Sequence, residues 1–289
     1  MRILSINHYT SITGVGTWTY TLLNAIKEIH PNIIVDIWFK TDNRDSLLIR
    51  QLSRVVDNIY FEKPDNQYDI VYTHYAEKEY PKTKKIYHFI HNIMSGNYMN
   101  PYADKIFCFS ERVYNYIDFS NKELIRNGID IKRFKYIKPK KELKNILVFD
   151  SRNNAFQNSK VLAASSMLGK YMSFLGEDLN HNIHNRWNVE DYIKSSDLVI
   201  AVGRSAIESL AMGKNVLIAN INQANGLVTE DNFDEHTETN FSGWTKYRND
   251  NYDVSYLAKQ FKLYNPVSLR DLVIKKYNIN LYIEQIITI

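Results

Sequence analysis

The sequence predicts an α/β fold built on parallel sheets, and three observations carry that prediction. Residues 198–202 are an unbroken apolar run, bounded by Ser196 and Asp197 on one side and Gly203 on the other, as a strand buried on both faces would be. Ala206, Ile207, Leu210 and Ala211 then recur at helical spacing until Gly213, and residues 216–219 open a second apolar run. Strand-like and helix-like segments alternate along the chain, and 289 residues suffice for two such domains, each with its own core.

In chain order, residues 3–6 form a strand and residues 8–16 a loop. Trp18, Leu22, Leu23 and Ile26 mark a helix, and residues 33–39 the next strand. Gly14 and Gly16 after a strand suggest a dinucleotide fold, but Thr19 stands at the third glycine position and Asp36 falls mid-strand. A nicotinamide cofactor is therefore disfavoured. Residues 68–74 and 85–92 read as strands ending in His74 and His91, on the edge of an open sheet where ligands bind. His88 alternates to the other side of its strand and is a weaker candidate. Residues 106–109 form a strand, Ser110 caps the following helix, and Asn127-Gly128 makes a turn.

Residues 135–144, rich in lysine and lacking apolar periodicity, read as a solvated linker. Residues 145–149 begin another strand, which runs through Arg152 toward a helix carrying Lys160, Val161 and Leu162. Residues 172–175 make a further strand before Gly176. At the 198–219 unit, Arg204 and Ser205 sit where unpaired N–H groups and the positive helix end welcome an anion. Ser205 and Glu208 also have capping-box spacing. The tail from residue 267 suits helices, with a break at residues 278–280.

Composition narrows the function classes. A net charge of +4 suits an anionic ligand and is less than a dedicated nucleic-acid binder usually carries. The single cysteine, Cys108, cannot form an internal disulfide and reads as a buried thiol in a cytoplasmic protein. No apolar run approaches the roughly 20 residues that span a bilayer, and the N-terminus lacks a signal-peptide core. A soluble protein is expected, with peripheral membrane contact left open. There is no Asp-x-Asp pair, and the histidines lack metal-ligand grouping, so no metal is expected.

Several of these segments together resemble family 4 glycosyltransferases of the GT-B fold. The resemblance is carried by the glutamate-bearing helix followed by Ala211-Met212-Gly213 and Val216, and by residues 123–134 with Asn127-Gly128-Ile129-Asp130 and Phe134. The strand ending in Ser110-Glu111, the two histidine-ended strands and the glycine loop add to it. It implies a GT-B architecture, two Rossmann-like domains with parallel sheets facing across a cleft. Residues 1–138 would be the acceptor-side domain, residues 139–265 the nucleotide-sugar domain, and residues 266–289 a helical tail packing back on the first. The implied activity moves a sugar from a nucleotide sugar to a hydroxyl acceptor, with retention and without a metal or other cofactor.

The same resemblance implies site roles. His91 would be catalytic, Gly14 and Gly16 would approach the donor phosphates, and Arg152 and Lys160 would grip the diphosphate. Arg204 and Ser205 would hold the diphosphate at the helix start, and Glu208 would bind the ribose hydroxyls. Two departures stand out: Ile200 replaces the family's earlier glutamate, and Lys160 is three residues farther from Arg152 than usual. The acceptor is open among a glycan, a lipid-linked sugar, a protein and a modified DNA base. Alternatives are a GT-B epimerase or hydrolase acting on the sugar nucleotide, or a catalytically silent sugar-nucleotide-binding protein.

Overall fold

A computed structural model describes residues 1–93, 99–150, 155–176 and 187–288. The chain divides into two compact units, Met1–Asp130 joined by Asn278–Ile289, and Ile131–Tyr277.

The first unit contains β1 (Arg2–Asn7), α1 (Gly14–Ile29), β2 (Ile34–Phe39), α2 (Leu47–Leu52), β3 (Asn58–Tyr60), β4 (Tyr68–Thr73), β5 (Thr83–Ile90), β6 (Lys105–Cys108), α3 (Glu111–Tyr116) and β7 (Lys122–Leu124). Its seven strands are all parallel, in the order β3-β2-β1-β4-β5-β6-β7. The order therefore reverses between β1 and β4, the place where open sheets of this kind leave a crevice at their C-terminal edge. α1 begins earlier than its apolar spacing suggests. Thr13 caps it, its Oγ1 accepting from the Gly16 N–H at 3.1 Å, so the glycine loop is itself the first helical turn. Ser110 caps α3 in the same way, accepting from Val113 N–H at 3.2 Å.

The C-terminal residues return to this unit as a 3₁₀ turn, Ile279–Leu281, and a short helix. The Ile279 N–H donates to the Ile129 carbonyl at 3.1 Å, and the Tyr72 hydroxyl to the Ile286 carbonyl at 3.0 Å. Tyr87 donates likewise to the Thr288 carbonyl. Buried Ile283 and Ile286 contribute the apolar part of this docking.

The second unit contains β8 (Asn145–Asp150), α4 (Ala155–Met167), β9 (Tyr171–Gly176), α5 (Val189–Ser195), β10 (Leu198–Ala201), α6 (Arg204–Ala211), β11 (Asn215–Asn220), β12 (Gln223–Leu227), α7 (Phe233–Glu238), α8 (Val254–Lys262) and α9 (Arg270–Tyr277). Its sheet has the order β12-β11-β10-β8-β9, parallel except for the antiparallel edge strand β12. Ile146, Val148, Leu198, Ile200 and Leu217 build its core against Val161, Leu257 and Phe261. Among the described residues no helix is long and apolar enough to cross a membrane.

Arg270 ties the start of this unit to its middle. Its Nη1 donates to the carbonyls of Phe134, at 2.6 Å, and Ala211, and its Nη2 to that of Ile131, at 3.3 Å. A fork of fixed donors satisfies carbonyls that a single ammonium cannot reach together. Arg270→Met should lower unfolding stability by roughly 2–4 kcal/mol, and Arg270→Lys should recover only part of it, as read by denaturant titration.

Candidate functional site

In the second unit, β10 ends at Ala201 and the chain turns through Val202 and Gly203 into α6. Gly203 has φ 60° and ψ −132°, a conformation open to glycine and costly for other residues. Its N–H donates to the Phe241 carbonyl at 2.8 Å. Asn240 and Phe241 themselves have φ of 54° and 55°, which for a bulky aromatic residue persists only where the surroundings impose it. The His236 ring stacks on Phe241 with centroids 5.8 Å apart, and the Phe241 N–H donates to the His236 carbonyl at 2.8 Å. A strained, fully packed support thus holds the turn that carries Arg204.

Arg204 Nε lies 2.8 Å from Glu208 Oε1, and each side chain is only 7% exposed. Burial pushes the Glu208 carboxyl above its ordinary range, opposed by the charges of Arg204 and Arg133. Arg133 is in turn paired with Glu190 at 2.9 Å, and its guanidinium lies 4.5 Å from the Trp187 ring centroid. The capping box does not form: Gly203 is the N-cap, so Ser205 lies inside the helix and Glu208 faces Arg204 one turn back. The Ser205 carbonyl accepts from Ser209 Oγ at 2.7 Å. Ile200 is fully buried in β10 among apolar neighbours, so a carboxylate there would enter the core rather than a ligand edge. Lys160 lies within α4, with its Nζ donating to the Tyr252 carbonyl at 2.8 Å and lying 4.3 Å from that ring's centroid. Arg152 falls outside the described residues.

In the first unit, His74 and His91 each follow the last residue of a parallel strand, and the structure joins them. His91 Nε2 is 3.0 Å from His74 Nδ1, and His74 Nε2 is 3.2 Å from Thr19 Oγ1 on α1. Trp18 meets both imidazoles edge-on. His88 is buried within β5. A second group stands at the ends of β1, β2 and β4, where His8 Nε2 is 2.8 Å and Lys40 Nζ 3.0 Å from the buried Glu77 carboxylate. Gly16 allows close packing, since a Cβ there would lie 2.7 Å from Leu48 Cδ2, whereas Gly14 borders open space. Asp36 is closed to a ribose: Arg2, Asn58 and Tyr68 all bond its buried carboxylate.

Thr19, Lys40, Glu77 and Arg133 were missed by sequence reasoning. Lys40 alone carries a local signal, as the first polar residue after an apolar strand. Among the described residues no group of three or more His, Cys, Asp or Glu could hold a metal ion.

Two buried histidines make stability pH-dependent. Burial lowers His236 to about 4 from 6.5, and burial with neighbouring histidine charge lowers His74 well below 6.5. Between those values the unfolded chain binds protons that the folded chain refuses, so stability should fall as pH drops from about 6.5 toward 4. Each such histidine contributes up to about 1.4 kcal/mol per pH unit in that window. Denaturant unfolding across it should show the decline, and His236→Leu should make it shallower, with the His74 share remaining.

The chain is similar to the UDP-GlcNAc 2-epimerase from Neisseria meningitidis solved with UDP-GlcNAc, at 13% identity and TM-score 0.56, over 99% of this chain and 98% of that one. It is similar to the S. aureus MnaA–UDP structure at 12% identity and TM-score 0.58, over 99% and 95%. It is similar also to Acinetobacter baumannii MurG at 12% identity and TM-score 0.51, over 99% of both chains. No protein-family model and no curated protein matches the sequence. GT-B glycosyltransferases and UDP-GlcNAc 2-epimerases are both among its structural neighbours. What so low an identity shares is the course of the backbone, and by that measure the chain has the GT-B fold.

Proposed function

We propose that this chain is a glycosyltransferase similar to family 4 members, with a uridine diphosphate sugar as donor and a hydroxyl compound as acceptor. The observation that carries the reading is the buried Arg204–Glu208 pair on the first turns of α6, at the C-terminal end of a parallel strand. A diphosphate finds there a cation and a helix start, and a carboxylate one turn on can accept from two ribose hydroxyls. The UDP-GlcNAc and UDP held by two solved neighbours support a uridine nucleotide.

Ser205 and Arg152 are assigned to the same diphosphate, with Lys160 joining them by giving up the Tyr252 carbonyl. Gly14 and Gly16 are assigned to the phosphates and His91 to the reacting sugar. Charge on the leaving diphosphate is then offset by arginine and helix dipole, and the reaction calls for no metal. Retention of configuration and a cytoplasmic setting complete the proposal.

A second reading, epimerisation of the donor sugar, is favoured by the likeness to the Neisseria meningitidis epimerase. Incubation with UDP-sugars separates the two. UDP released only when an acceptor is present supports transfer, and an epimer accumulating without acceptor supports the second reading.

The buried ion pair shapes the mutational test. Removing one partner strands the other charge at a cost of roughly 3–5 kcal/mol, whereas replacing both with apolar residues is often neutral. The double variant Arg204→Met with Glu208→Leu should therefore stay folded while its UDP affinity falls at least about tenfold, with uridine binding reduced less. Unchanged UDP affinity by calorimetry would remove the pair from the donor site. His91→Ala should cut turnover by roughly a hundredfold or more and leave UDP affinity near wild type. A variant with full turnover would take His91 out of the mechanism.

A further inference from the structure

The proposed role of His91 raises the question of what holds its ring and its proton. His91 Nε2 contacts His74 Nδ1 at 3.0 Å, and His74 Nε2 contacts Thr19 Oγ1 at 3.2 Å. Thr19 and His74 are both buried. The Trp18 ring stands at 88° to each imidazole, with centroids 5.5 Å from His74 and 5.8 Å from His91, and Phe109 packs against His91 at 4.3 Å. These walls keep the rings from turning over.

A chain of three such groups can run in either direction, and the hydroxyl at its end decides which. Thr17 and Thr21, two residues to either side on α1, donate back to helix carbonyls at 2.9 and 2.8 Å. Thr19 instead turns its hydroxyl to His74. Were Thr19 the acceptor, its own O–H would be a buried donor without an acceptor. As the donor it leaves only lone pairs unmatched, the smaller cost.

Thr19 O–H therefore donates to His74 Nε2. His74 stays neutral, because burial holds it well below the usual histidine range. A neutral imidazole that accepts at Nε2 carries its proton on Nδ1, and here that proton points at His91 Nε2.

We infer that Thr19 and His74 are positioning residues that fix His91 as the Nδ1–H tautomer, its Nε2 lone pair already engaged. A free imidazole side chain prefers the other tautomer, so this state depends on the buried chain. In it His91 carries its proton on Nδ1, while Nε2 offers no lone pair to act as a base. The inference deepens the proposed role of His91 and rests on that reading for its function, but its test requires no turnover.

The test is long-range proton–nitrogen correlation spectroscopy on the full chain labelled with nitrogen-15 histidine, at mildly alkaline pH, with His91→Gln and His74→Gln used to assign the rings. The wild type should show His91 and His74 each protonated at Nδ1 and unprotonated at Nε2. His74→Phe should return His91 toward the Nε2–H form. Thr19→Val, nearly isosteric and so the safer variant for folding, should cost both rings their single-tautomer signatures. A wild-type His91 protonated at Nε2, or a His91 signature that Thr19→Val leaves untouched, would overturn the inference. The expected signatures in a protein that turns over no nucleotide sugar would leave the chain of three groups standing and sink the transferase reading alone.

Discussion

Every strand of the first sheet runs the same way, and the candidate site of that unit depends on this parallel register. In it Ile6 lies opposite Thr73, and Thr73 opposite His88, so β1, β4 and β5 finish at nearly one level. Residues just past those ends must then share one edge. His74 and Phe89 come to the same side, His91 follows two residues later on that side, and α1 covers them with Trp18 and Thr19. His88 alternates to the opposite face and is buried there. The same levelling brings His8, Lys40 and Glu77 together from three separate strand ends.

A crowded strand edge brings desolvation with it, and both units answer by pairing. Glu77 is held by two partners, His74 by two, and Glu208 by Arg204 with Arg133 close enough to matter. In the second unit the backbone is drawn in as well. Gly203 reaches its conformation by hydrogen-bonding Phe241, which itself sits at positive φ beneath His236. Stability and site geometry are there properties of one packed cluster. A change at His236 would reach the Arg204 turn without touching it.

Strands β1, β2, β4, β5, β6 and β8 to β11, the helices α1, α3, α4 and α6, and the placement of candidate residues at strand ends were legible locally, because each follows from apolar periodicity or a cap. The edge strands β3, β7 and β12 were not. The β10–α6 unit was legible down to Gly203 as its turn. Its first turn was not. Ser205 with Glu208 satisfies the capping-box spacing, yet whether a helix starts at Arg204 or two residues later rests on Phe241, 38 residues on, receiving the Gly203 N–H. Ile200 shows the converse. Sequence likeness marks it as a missing acid, whereas its place in a buried strand makes the apolar side chain the one that packs.

What the sequence by itself determined was therefore the alternation of parallel strands and helices, and the presence of His91 and Arg204 at element ends with Glu208 one helical turn on. Those depend on spacings of a few residues, which any reader of the chain can measure. Only the tertiary structure decided the partners: His74 and Thr19 for His91, Arg204 rather than Ser205 for Glu208, and Tyr252 for Lys160. Except for the Arg204–Glu208 pair, partners of this kind lie tens of residues apart. A buried polar group selects whichever complement folding brings within about 3 Å, a criterion of distance and desolvation that no local pattern encodes.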